Sequence, residues 1–290
     1  MVSEGEAFCP GHVTAFFEVH DNPDPRKAGS RGAGLCLGLG VRTLARVRET
    51  SRASLDVIVN GKRRKGEVTE RVARKVLGDR AYEVKILSDS PLPVSQGFGV
   101  SGAAALSTAL AIDDALGVGT PRDELVAIAH ETEVECGTGL GDVVPASLGG
   151  MDLRLRPGAP GHSEVRSHRV EADLLLVVLG AEIPTQSVIR DPAKVAAINR
   201  AGGACIEAFA SDPRLERLID LGARFAEESG LASKTVLEVI RASRMFGHAT
   251  MAMLGNSIFA AGNREQLATL YLKFGTLQRC EVDNEGARVL

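Results

Sequence analysis

The stretch from Pro91 to Ala104 reads Pro-Leu-Pro-Val-Ser-Gln-Gly-Phe-Gly-Val-Ser-Gly-Ala-Ala, and no other part of the chain limits the available folds as strongly. Gly97, Gly99 and Gly102 permit a tight turn and a close approach of backbone. An Ala/Leu-rich run from Ala103 to Leu116 follows at once and stops at Gly117, which predicts a helix. A glycine turn that opens directly into a helix leaves the first N–H groups of the helix unpaired, and the positive end of the helix dipole points the same way. Such a turn suits an anion. Ser101 falls in the first turn, where its hydroxyl reaches a phosphate oxygen or a magnesium ion. The segment contains neither GK[ST] nor a clean GxGxxG, so glycine spacing alone fits an anion site and a plain packed turn equally.

Two acidic positions further on give the turn its meaning. Thr120-Pro121 supplies an N-cap and a first-turn proline, Asp123 and Glu124 complement the dipole, and the helix runs to about Glu135. Glu131, Glu133 and Glu135 near its end read most simply as a solvated face. Asp142 differs, because it stands among glycines in Gly137-Thr-Gly-Leu-Gly-Asp between apolar segments, a setting that structure alone does not call for. A carboxylate at a helix end and another beyond a glycine turn can face one cavity. Phosphoryl transfer to an alcohol needs few parts: a phosphate cradle, a carboxylate for the metal and an acceptor for the hydroxyl proton.

The rest of the sequence frames these segments. Strands are expected at 13–19, 35–47, 55–59 (closed by the Asn60-Gly61 turn), 82–87, 173–179 and 257–261. Helices are expected at 67–77, 192–209, 213–229, 233–242 and 264–274. The basic run Lys62–Lys65 reads as a solvated hairpin end. The charged, Pro/Gly-containing stretch Arg154–Ser167 reads as a domain boundary, which divides the chain into 1–160 and 161–290, in line with a length of 290 residues. The mixture indicates an α+β architecture without repeats.

The net charge of −3 argues against a nucleic-acid surface. The long uncharged stretches Pro91–Ile112 and Met245–Asn263 are interrupted by Gly, Ser, Asn or Gln and do not read as membrane spans. Five scattered cysteines without a CxxC pair indicate no disulfide framework and no zinc site. With an N-terminus lacking a basic signal-type region, they place the chain in a reducing cytoplasm.

Together the segments resemble the GHMP kinases. Phe8-Cys-Pro-Gly-His-Val13 is similar to the first motif of that family, Gly97-Phe-Gly-Val-Ser-Gly-Ala103 to the second, and Gly139-Leu-Gly-Asp142 to the segment of its catalytic aspartate. Met251-Ala-Met-Leu-Gly-Asn-Ser257 stands for the third in degenerate form. Val100 replaces the first serine of the second motif, and His12 stands where mevalonate kinase-like members have lysine. Gly29-Ser-Arg-Gly-Ala-Gly34 and Thr138–Val143 resemble the archaeal-type pantoate kinase branch.

The resemblance implies a two-domain fold, similar to ribosomal protein S5 domain 2 in the N-terminal half and ferredoxin-like in the C-terminal half. It further implies ATP and Mg2+ as cofactors and pantoate as the acceptor, and leaves room for a homodimer. Carried over by position, Pro93, Gly97, Gly99, Val100, Ser101, Gly102 and Ala103 would hold ATP. Ser101 and Glu133 would hold magnesium, with Glu131 as the fallback, and Asp142 would take the hydroxyl proton. Arg31 is the first choice for the substrate carboxylate, with His20 and Arg190 behind it. Ser30, His12 and, more weakly, Thr185 would line the pocket. The competing readings are a GHMP kinase for mevalonate, homoserine or a sugar, a decarboxylase of the diphosphomevalonate type, and a non-catalytic nucleotide or metabolite sensor. A Rossmann dehydrogenase is disfavoured because the glycine turn lies deep in the chain without a βαβ setting.

Overall fold

Two long antiparallel strands organise the molecule, seen here in a computed structural model that describes residues 2–183, 186–189 and 191–290. Strands β1 (Val2–His20) and β2 (Gly29–Glu49) pair along almost their full lengths, with register slips at Pro10/Gly11 and at Thr14/Phe16. Proline cannot donate to a ladder, and a bulge is where a sheet tolerates it. The first slip also divides the strands between two apolar cores. Ala7, Cys9, Val41, Ala45 and Val47 belong to one, whereas Val13, Phe16, Ala33, Leu35 and Leu37 belong to the other. The residues just past Pro10 therefore lie where the two cores meet.

Around this pair an eight-stranded sheet is built. β3 (Ser54–Val59) runs parallel to β5 (Tyr82–Asp89), β5 pairs antiparallel with β2, and β4 (Lys62–Arg63) closes a hairpin on β3. Asn60 and Gly61 both take positive φ, 48° and 71°, as a two-residue hairpin turn demands. Helices α1 (Glu67–Leu77), α2 (Val100–Leu116) and α3 (Arg122–Cys136) complete the first core. α2 is apolar nearly all round and buried, and it packs on β1 and β2. α3 starts at Arg122, with Pro121 rather than Thr120 at the capping position and no side-chain cap.

The charged stretch from Arg154 to Ser167, expected to link domains, instead contributes to a hairpin of this same sheet. β6 (Met151–Arg156) pairs with β2 and with β7 (Glu164–His168). Short helix α4 (Val143–Leu148) precedes it, and β12 (Arg288–Val289) brings the chain end back onto β1.

The second sheet holds β8 (Asp173–Val178), β9 (Gly247–Met251), β10 (Ser257–Gly262) and β11 (Thr276–Glu281), all antiparallel in the order β11-β8-β10-β9. Numbered along the chain this is 4-1-3-2, the ferredoxin-like order, and the α+β two-sheet architecture agrees with the sequence. β9 and β11 were not expected from it. Helices α5 (Gln186–Ile189), α6 (Pro192–Ala210), α7 (Leu215–Glu228), α8 (Lys234–Ser243) and α9 (Arg264–Tyr271) complete this half.

α6 and α7 dock on β1 through Phe16–Phe209 and Phe17–Phe225, with ring centroids 5.8 and 5.6 Å apart. Such pairs contribute about 0.5–1.5 kcal/mol each beyond the area they bury. Among the described residues, no helix is long and apolar enough to cross a membrane, and all five cysteines are free.

Candidate active site

A cleft of about 320 Å³ opens between the start of α2, the loop from Gly137 to Asp142 and the loop from Met253 to Leu254. Its floor is the glycine turn. Gly99 caps α2 in the left-handed region at φ 63°, and a Cβ there would sit 2.9 Å from the backbone N and O of His12. Only glycine fits both demands. His12 N–H donates to the Phe98 carbonyl at 3.0 Å, so the turn is tied to β1. No side chain caps α2 and its first turn carries no acid, which leaves its N–H groups and dipole facing the cleft.

The third glycine-rich segment supports this floor from behind. Gly255 packs against the Gln96 carbonyl, the Ser257 hydroxyl donates to the same carbonyl, and Met253 and Leu254 reach the cleft wall.

Beside the turn stands a buried carboxylate. Glu133, in the last turn of α3, is 3% exposed, and its Oε1 accepts 2.6 Å bonds from the hydroxyls of Ser101 and Thr138. Gly139 is held against it so closely that a Cβ would strike Oε2. Burial pushes the Glu133 carboxyl up to about 7, against the pull of the two hydroxyls, and the charge on Asp142 adds to the rise. With hydroxyl donors and, among the described residues, no cation beside it, this carboxylate is short of one positive charge.

Across the cleft, Asp142 caps α4 and belongs to a buried ionic group. His12 Nδ1 lies 2.9 Å from Asp142 Oδ1, and His12 Nε2 lies 2.6 Å from Asp152 Oδ1. Thr14 donates to Asp142 Oδ1 at 3.3 Å. Arg154 donates to the Gly141 carbonyl at 2.9 Å and to Thr14 Oγ1 at 3.1 Å, and its Nε is 3.4 Å from Asp152 Oδ2.

Burial opposes charge on Asp142, but the His12 hydrogen bond and charge, with Arg154 and Thr14, outweigh it and hold the carboxyl below the usual range. Burial likewise works against a charged His12, yet Asp152 and Asp142 together raise its pKa.

Of the positions singled out in the sequence, Gly97, Gly99, Val100, Ser101, Gly102, Ser30, Glu133 and Asp142 line the cleft. Pro93 and Ala103 do not, and His12 lies under the wall with no side-chain exposure. Glu131 is drawn away by Arg26 and Lys75, at 3.0 and 2.9 Å. His20 and Arg31 share Glu18 Oε2 at 3.1 Å beside the cleft rather than in its wall. Arg190 and Thr185 lie outside the described residues. Sequence reasoning missed Thr14, Thr138, Asp152 and Arg154.

With this geometry in view, comparisons with known proteins agree. Residues 66–150 match the family model of the GHMP kinases N terminal domain. Over 267 residues, 90% of this chain and 88% of the relative, the sequence is 35% identical to pantoate kinase of Thermococcus kodakarensis. It is 30% identical over 264 residues to pantoate kinase of Methanocaldococcus jannaschii, covering 90% and 93% of the two chains. A solved structure described as a phosphotransferase related to the CoA biosynthesis pathway superposes with a TM-score of 0.90 at 31% identity, covering 99% of this chain and 98% of the other. The chain belongs to the GHMP kinase family, and within it to the group of the pantoate kinases.

Proposed function

We propose that this protein transfers the γ-phosphoryl group of magnesium-ATP to the hydroxyl of pantoate, giving 4-phosphopantoate and ADP in coenzyme A synthesis. The observation that carries this reading is the placement of two carboxylates of opposite character on one cleft. Asp142 is stabilised as an anion, and Glu133 is buried without a counter-charge among the described residues.

The residues fit the nucleotide and its metal. The unpaired N–H groups at the start of α2, with Gly97 and Gly99, suit phosphate oxygens. Glu133 Oε1 and the Ser101 hydroxyl are hard oxygen donors beside one another, the kind of set that holds magnesium through one or two carboxylates plus phosphate. When bound, magnesium would neutralise charge on the transferring phosphoryl group and supply the positive charge that Glu133 lacks.

Among the described residues both side-chain donors to Asp142 end on Oδ1, and the side chain keeps 29% exposure. Oδ2 is thus the atom that receives the proton of the acceptor hydroxyl as its oxygen attacks phosphorus. Val100, Phe17 and Leu254 narrow the cleft and exclude water from the transfer. For the acceptor's carboxylate, Ser30 lines the cleft, and the neighbouring Arg31 carries a buried Nε–H with no partner among the described residues. An incoming carboxylate would satisfy it.

ADP release with magnesium-ATP across pantoate, mevalonate, homoserine, pantothenate and galactose tests the proposal, with product masses recorded. Selective turnover of pantoate to a phosphorylated product supports it. Preference for another alcohol keeps the kinase and removes the substrate, and carbon dioxide release would indicate a decarboxylase.

A further inference from the structure

The buried group around His12 contains more than a base needs. A neutral imidazole has one N–H donor and one lone-pair acceptor. Here both ring nitrogens face carboxylate oxygens, at 2.9 Å on Asp142 and 2.6 Å on Asp152. Between two ionised aspartates a neutral His12 would set a lone pair against an oxygen lone pair on one side, and on the Asp152 side the place is closed to solvent, because the side chains of His12, Asp152 and Arg154 are 0, 1 and 3% exposed.

Charge counting gives the same result. The titratable groups around His12 are Asp142 ahead of α4, Asp152 and Arg154 on β6, and the Cys36 thiol on β2, which burial keeps protonated. A charged His12 with Arg154 balances the two aspartates. A neutral one leaves a net negative charge buried beside the place where nucleotide phosphates would arrive.

We propose that His12 is a permanent imidazolium, held charged by Asp152, and that its Nδ1–H fixes and keeps ionised the Asp142 carboxylate. His12 and Asp152 are positioning residues that act through Asp142 and touch neither nucleotide nor acceptor. The inference rests on the reading of Asp142 as the base, but its first test does not depend on turnover.

The ring is read in the intact protein by 15N NMR of histidine-labelled chain. His12 is assigned by the loss of one of six histidine signals in His12→Gln. Two protonated ring nitrogens on His12 from pH 6 to pH 8.5 are expected; a neutral tautomer anywhere in that range overturns the proposal.

The second test is kinetic. Asp152→Asn removes the group that keeps His12 charged, so burial then lowers the His12 pKa. Turnover of the variant should fall as pH rises through neutrality, where the wild type stays flat. The expected loss at pH 8 is about 10- to 100-fold in kcat, the range for partners that orient a working group, with KM for ATP and for the acceptor unchanged within about twofold. A uniform loss with a wild-type pH profile, or a loss carried by KM, would mean that Asp152 is only structural. If no panel alcohol is phosphorylated, the proposed function fails while the NMR result still decides the state of His12.

Discussion

The two walls of the cleft are made of different material. On one side the proposed phosphate cradle is backbone: Gly97, Gly99 and the open end of α2, with the left-handed turn at Gly99 pressed on β1. On the other side the wall is an ionic side-chain group: His12, Asp142, Asp152 and Arg154, drawn from β1, the head of α4 and β6 and interlocked by hydrogen bonds and ion pairs. A backbone site depends on local geometry and tolerates changes around it. An ionic group of this kind depends on every member, since removing one leaves a buried charge unmatched. Substitutions in the cradle should therefore act on nucleotide binding, and substitutions in the ionic group on turnover.

Asp142→Asn should give the largest effect, a fall in kcat of about 10²–10⁴ with little change in nucleotide affinity. Steady-state kinetics decide it, and a loss within about threefold would remove Asp142 from the role of base.

Glu133→Gln should separate function from stability. Magnesium-dependent nucleotide binding, followed by calorimetry, should weaken by about 100-fold. The nucleotide-free variant should, however, be more stable than wild type at pH 8. The sign follows from a folded-state value near 7 against 4.5 for the free side chain. Stability that the protonated Glu133 provides is intact below pH 4.5 and is lost as pH rises through 7. At pH 8 the difference should amount to about 3 kcal/mol, and it should vanish below pH 4.5. Equal stabilities at pH 8 would mean that the buried carboxylate already has its counter-charge.

Gly99→Ala tests the backbone wall. A left-handed Ala costs about 1–2 kcal/mol before the contact with His12 is counted. A lower Tm and an increase of about tenfold in KM for ATP are expected; a change confined to kcat would break the division between the walls. Arg31→Ala should have the smallest effect, raising KM for pantoate about tenfold while KM for ATP stays put, because only one charge-assisted contact is lost. If neither changes, Arg31 serves Glu18 alone.

The difference between the walls is also a difference in legibility. The cradle could be read because its requirements are local: glycines where φ must be positive, a helix-forming run directly after them, a serine in the first turn. Asp142 stands out for a related reason, since it sits among glycines, whereas Glu133 reads by itself as part of a solvated helix face and is singled out only by the family resemblance.

Asp152 and Arg154 gave no such signal. Met151-Asp-Leu-Arg-Leu-Arg156 alternates apolar and charged residues, the pattern of a strand with one wet face, and the charged Arg154–Ser167 stretch reads as a domain boundary. Yet Asp152 and Arg154 are 0 and 2% exposed. Their face of β6 is turned to His12 because β6 pairs with β2, more than a hundred residues earlier, with Gly34 opposite Asp152 and Gly32 opposite Arg154.

The sequence by itself determined the α+β class, most of the helices, the glycine turn that opens α2 and the unusual setting of Asp142. Periodicity, capping and glycine placement act over a few residues and leave their mark in the order of the chain. Tertiary structure alone decided that His12 lies beneath the wall rather than in it, that Glu131 turns away to Arg26 and Lys75, and that a charged strand face is buried. Those outcomes follow from which distant charge meets which, and strand pairing across the molecule sets that.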